Sequence, residues 1–66
     1  MNRAEVLRKK LELLRETHRE LDDAILAVEA EAIPDRLRLS RMKKRKLALK
    51  DQITRIEDEL TPDIIA

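Results

Sequence analysis

Residues 28–39 read Val28-Glu29-Ala30-Glu31-Ala32-Ile33-Pro34-Asp35-Arg36-Leu37-Arg38-Leu39, and this stretch decides the fold. Proline disfavours helical geometry in the residue before it, so Ile33-Pro34 stops any helix that arrives from the N-terminal side. Asp35 follows at once, and its short carboxylate suits the N-cap of a new helix. A stop and a start so close together predict two helices joined by a tight turn. The periodicity on either side agrees. Leu7, Leu11, Leu14, Leu21, Ile25 and Val28 recur at alternating steps of three and four, with Ala4 and Ala32 extending the series and His18 as its polar member. Leu39, Met42, Leu49, Ile53, Ile56 and Leu60 repeat the alternation, with Lys46 as the polar member. Asn2 and Glu5 resemble a capping box at the first N-terminus. The expected helices cover residues 3–32 and 36–60, with a turn at 33–35 and a tail at 61–66 opening on Thr61-Pro62.

Folding the two halves back on each other gives a consistent register. Val28 with Leu39, Ile25 with Met42, Leu21 with Lys46, His18 with Leu49, Leu14 with Ile53, Leu11 with Ile56 and Leu7 with Leu60 have residue numbers that all add to 67. Each pair joins an a position to a d position of the heptad, as an antiparallel coiled coil requires. The flanking charges agree as well. Arg8 faces Glu57, Lys10 faces Glu59, Asp22 faces Lys43, Glu29 faces Arg36 and Glu31 faces Arg38, against one repulsive pair, Arg15 with Lys50. Exposed pairs of this kind contribute about 0.2–1 kcal/mol each, so they choose a register more than they stabilise it. The predicted fold class is all-α: a two-helix antiparallel coiled-coil hairpin. Two helices cannot enclose a seam on every side, and Val6, Leu13, Leu26, Leu37 and Leu47 lie off the stripe. Self-association follows as an expectation, most simply a dimer of hairpins forming a four-helix bundle.

Composition narrows the function classes. The chain has 66 residues, too few to enclose a deep pocket, so a self-contained enzyme is not expected. It has no Gly, Cys or aromatic residue, which excludes a disulfide framework, a thiolate metal site and a phosphate-cradling Gly-rich loop. No apolar run approaches the ~20 residues of a membrane span. Nor does the start of the chain have the apolar core of a signal peptide, and a cytoplasmic protein is expected. The net charge is only +1, yet Arg36, Arg38, Arg41, Lys43, Lys44, Arg45, Lys46 and Lys50 form a block free of acids between two acidic segments.

The pattern His18-x-x-Leu21-Asp22-x-x-Ile25, followed by Leu39-x-x-Met42-Lys43-Lys44-x-Lys46-Leu47-x-Leu49-Lys50-Asp51-x-Ile53, resembles the YdcH-like family of short bacterial proteins. The resemblance spans residues 7–57, and the Lys-Lys-x-Lys-Leu-x-Leu-Lys-Asp run is its most specific part. It implies a helical hairpin in a bacterial cytoplasm and brings no activity, because the family has none assigned.

Three groups of residues carry functional expectations. His18 and Lys46 interrupt the seam, and with Asp22, one turn from His18, they read as a polar layer that specifies register and oligomeric state. Metal ligation or proton transfer by His18 is the sharper alternative, but one His and one Asp supply too few ligands for a metal. Lys46 would lay its methylenes on the seam while its ammonium reaches Asp22 or water; an anion pocket is the alternative. Arg41, Lys44, Arg45 and Lys50 lack intramolecular acidic partners in the register and form the candidate interaction face. They would serve an acidic protein partner or, as the alternative function, non-specific nucleic-acid binding. The absence of any aromatic disfavours base stacking and weakens that alternative. No cofactor is expected. The apolar Ile64-Ile65-Ala66 at the end of the tail reads either as docked on the bundle or as a hook for a partner.

Overall fold

The computed structural model describes residues 2–60 and contains two helices, α1 (Arg3–Glu29) and α2 (Arg36–Leu60). Asn2 starts α1 in extended geometry, and its side chain accepts a hydrogen bond of 2.8 Å from the Glu5 N–H, which satisfies one of the donors orphaned at a helix start. Asp35 does the same for α2. Its Oδ1 accepts from the Arg38 N–H at 3.0 Å while its carbonyl accepts from the Leu39 N–H at 2.9 Å. Both starts lie where the caps in the sequence put them.

The end of α1 does not. The helix stops at Glu29, three residues short of the expected residue 32, and the connection covers residues 30–35. Pro34 is the cause. In a continuing helix its ring would collide with the carbonyl of Ala30, and Ile33 is pushed out of helical geometry, so the last regular turn must close earlier. It closes tightly, with the Glu31 N–H donating to the Val28 carbonyl at 3.2 Å in a three-residue step. Ala32, expected to extend the seam, is therefore exposed in the connection. Thr61-Pro62 and the apolar Ile64-Ile65-Ala66 lie outside the described residues.

The helices pack along one seam. Leu11, Ile53 and Ile56 form a buried cluster, with Leu7, Leu14 and Leu60 packed against it. This membership is the one the antiparallel register requires: Leu11 with Ile56, Leu14 with Ile53, Leu7 with Leu60. Ile25 and Val28 are buried nearer the turn. Between these two buried stretches the seam opens: His18, Leu21, Lys46 and Leu49 are only half-buried. The product is a rod measuring 47 × 27 × 15 Å, with a radius of gyration of 15.2 Å against about 11 Å for a compact chain of this length.

The flanking ion pairs follow the expected flanks but not the expected partners. Arg15 pairs with Glu57 at 2.6 Å, Lys43 with Glu29 at 3.3 Å, and Arg3 with Glu59 at 3.3 Å. Each replaces a directly facing partner by one a heptad away: Arg15 for Arg8, Lys43 for Arg36, Arg3 for Lys10. Side chains tilt toward the N-terminus of their own helix, so in an antiparallel pair they lean in opposite axial directions. Partners whose numbers add to more than 67, Arg15 with Glu57 and Lys43 with Glu29, lean toward each other, and the repulsive Arg15–Lys50 pairing is relieved; Arg3 and Glu59 add to less than 67, and this tilt does not account for their pairing. Glu31, expected to face Arg38, has left the helix.

Truncating Ile53, 4% exposed in the main cluster, is expected to destabilise the hairpin by about 2–5 kcal/mol. Leu13→Ala, at a site 55% exposed, should stay within about 0.5 kcal/mol in a dilute, monomeric sample. Urea unfolding followed by circular dichroism checks this; equal losses in the two variants would mean that the seam is not the core.

Candidate functional site

The polar layer is built from both helices. Asp22 stands on α1 one turn after His18, and Lys46 occupies an a position of α2, so the ammonium must leave the seam sideways to find a charge. It does so toward Asp22, with Lys46 Nζ donating to Asp22 Oδ1 at 2.7 Å. Both side chains remain substantially solvated, at 35% for Lys46 and 44% for Asp22. The hydrogen bond from Lys46, and then its charge, hold the Asp22 carboxyl below its ordinary value of 3.8. Desolvation pulls the other way, and the charge of His18 adds a further downward pull. His18 lines an open groove on the same flank with Arg19 and Lys50. Among the described residues no group of three or more His, Cys, Asp or Glu side chains is placed to hold a metal ion.

Arg41, Lys44, Arg45 and Lys50 are all exposed and form no ion pair among the described residues. The four do not all share one surface. Nine residues separate Arg41 from Lys50, about two and a half helical turns, which places them on opposite sides of α2. Lys50 opens onto the groove beside His18, Arg45 onto one beside Glu20 on the other flank, and Lys44 onto a third beside Arg36. Arg41, Lys44 and Arg45, three and four residues apart, form a local group on the outer side of α2. Arg15, which borders the same groove as Lys50, is committed to Glu57.

A different grouping emerges instead. Leu26 and Leu47, off the seam in the sequence, line one groove with Ile25, Asp22, Glu29, Lys43 and Lys46. They are 59% and 70% exposed. A signal for this was present: each leucine directly follows an a position, and in an antiparallel pair the residues after a lie on the same flank. Val6 and Leu13 are also exposed, but each directly precedes a d position and so belongs to the other flank.

The match to known proteins now has its structural frame. The family model described as a protein of unknown function (DUF465) matches residues 11–57, which include the seam from Leu11 to Ile56, the turn and the polar layer. The chain belongs to the DUF465 family. The YdcH-like resemblance is consistent with this membership. No curated protein and no solved structure matches the chain. Among the described residues no helix is long and apolar enough to cross a membrane.

The Asp22–Lys46 contact makes a pH prediction for this DUF465 chain. A carboxyl held below its ordinary value stabilises the fold above that value, and the contribution is lost as pH falls through the lowered one. The melting temperature of Asp22→Asn should therefore lie below that of the wild type at neutral pH, and the gap should close as the pH drops below 3.8. A gap of constant size down to the acid end of the titration would show that the pair does not contribute. His18→Leu is expected to raise the melting temperature, since it replaces a half-buried polar group in the seam, while broadening the distribution of oligomeric states. A lower melting temperature at unchanged mass would contradict it.

Proposed function

We propose that this protein is a non-enzymatic helical-hairpin interaction module that works by associating with itself, acting in a bacterial cytoplasm. One observation carries the reading. Five side chains are buried among the described residues, while six large apolar ones, Val6, Leu13, Leu26, Ile33, Leu37 and Leu47, are at least half exposed. A single hairpin has a seam but no second layer to cover its outer apolar positions, and folds of this kind acquire one by packing helix against helix. A dimer of hairpins supplies four helices with the fewest chains. The reading as non-enzymatic rests on the same geometry: the grooves are shallow troughs on the flanks of a rod, where water competes with every polar contact a substrate could make.

Arg41, Lys44 and Arg45 form no ion pair among the described residues, and the basic edge they leave suits an acidic segment of a partner protein. The nucleic-acid alternative is less well supported, because phosphate tracking calls for a continuous stripe of cations and the four candidate residues point into different surroundings.

Sedimentation equilibrium from low to high micromolar concentration tests the proposal, with helicity followed on the same samples. The expected result is a reversible monomer–dimer equilibrium that gains thermal stability with concentration. A fully helical monomer across the whole range would overturn it.

A further inference from the structure

We infer that a second copy of this chain docks on the flank that carries Leu26 and Leu47, with the two-fold axis running along the hairpin, so that α1 of each chain lies against α2 of the other. The inference rests on the self-association proposed above and adds to it the face and the orientation.

Apolar surface selects the flank. The Leu26–Leu47 groove has the buried Ile25 side chain on its wall, and an adjoining groove shares Lys43 and Leu47 and adds Leu39. Ile33 and Leu37 are exposed at the same end of the rod, so four of the six large exposed apolar residues fall between positions 26 and 47. Leucines that project beside a half-open seam are the anchors that fill the pockets of a partner surface.

Charge selects the orientation. Along this flank α1 presents Arg8, Arg15, Asp22 and Glu29, and α2 presents Arg36, Lys43, Lys50 and Glu57. A two-fold axis along the rod sets α1 against the partner's α2. The acids Asp22 and Glu29 then meet the partner's Lys43 and Arg36, and Arg8 meets the partner's Glu57, against one like-charge apposition, Arg15 with the partner's Lys50. Among the described residues Arg36 forms no ion pair and is available for this. An axis across the rod, centred between the two leucines, would instead bring Asp22 and Lys43 each close to its own copy and Arg36 close to the partner's Lys50, with only Glu29 and the partner's Arg15 attractive. Like charges in apposition disfavour that arrangement.

The available area is sufficient. The chain exposes 5621 Å², against about 4,400 Å² for a compact folded chain of 7.8 kDa. The excess is of the order of the ~800 Å² that each partner contributes to a standard interface.

The test compares Leu26→Glu and Leu47→Glu with Leu13→Glu by sedimentation equilibrium and circular dichroism on the full chain. All three sites are exposed, so the hairpin should keep its helicity in each. The first two are expected to weaken dimerisation about thirtyfold, and Leu13→Glu to leave it within about twofold. The orientation is read by cross-linking. The chain has no cysteine, so a short bismaleimide should join a Leu26→Cys chain to a Leu47→Cys chain more efficiently than two Leu26→Cys chains. A dimer that survives Leu26→Glu and Leu47→Glu but is lost in Leu13→Glu overturns the face while leaving self-association standing. A preference for the Leu26→Cys homodimer overturns the orientation. A wild-type chain that is monomeric throughout overturns both the inference and the reading beneath it.

Discussion

Everything in this molecule depends on one constraint: two helices of nearly equal length must present their apolar stripes to each other in a single antiparallel register. Pro34 and Asp35 impose the reversal, the first by forbidding continuation of α1 and the second by capping α2 through the Arg38 N–H. Once the chain turns there, Leu11 has to meet Ile56 and Leu14 has to meet Ile53, and the buried cluster forms from these residues with Leu7 and Leu60. A slip of one residue would rotate the stripes out of line and bring charged flanks into the seam, so the register is strongly specified although few side chains are fully buried.

The middle of the seam departs from this logic. His18 and Lys46 occupy positions that leucine would fill, and the two buried stretches on either side of them are separated by half-buried layers. The Lys46–Asp22 hydrogen bond reconciles the lysine with its position by drawing the ammonium to the flank. Burying a polar group without a partner is costly, whereas a partnered, partly solvated one specifies alignment at moderate expense. The same flank carries the His18 groove, the Leu26–Leu47 groove and the Glu29–Lys43 ion pair. The features that set this hairpin apart from a bare coiled coil thus lie largely on one side.

Charges on a rod of this shape stabilise little and discriminate more. The cross-helix pairs are all substantially solvated, and three of them, Arg3–Glu59, Arg15–Glu57 and Lys43–Glu29, have settled with a partner one heptad away from the one directly opposite. Screening keeps their individual contributions small. Their signs nevertheless differ between the two helices, acids toward the turn on α1 and bases on α2. That asymmetry gives the flank a direction, which a second surface can read.

The sequence by itself determined the two helices, the turn, the caps and the seam, because these follow from local rules: proline geometry, a carboxylate at an N-cap and apolar residues at steps of three and four. It also marked His18, Asp22 and Lys46 as the polar interruption and Leu26 and Leu47 as misplaced apolar residues. Tertiary structure alone decided what depends on the direction in which a side chain leans and on how helix faces combine. It ended α1 at Glu29, since the clash of a proline with the carbonyl four residues earlier reaches further back than its effect on its immediate neighbour. It moved two ion pairs, Arg15–Glu57 and Lys43–Glu29, by a heptad, since side chains tilt along the helix axis. It gave the basic residues different neighbours, setting Lys50 beside His18 and Arg45 beside Glu20 on the other flank, because each side of α2 meets a different side of α1. And it joined Leu26 to Leu47, twenty-one positions apart in the chain, because antiparallel packing sets the two positions that follow a on one flank.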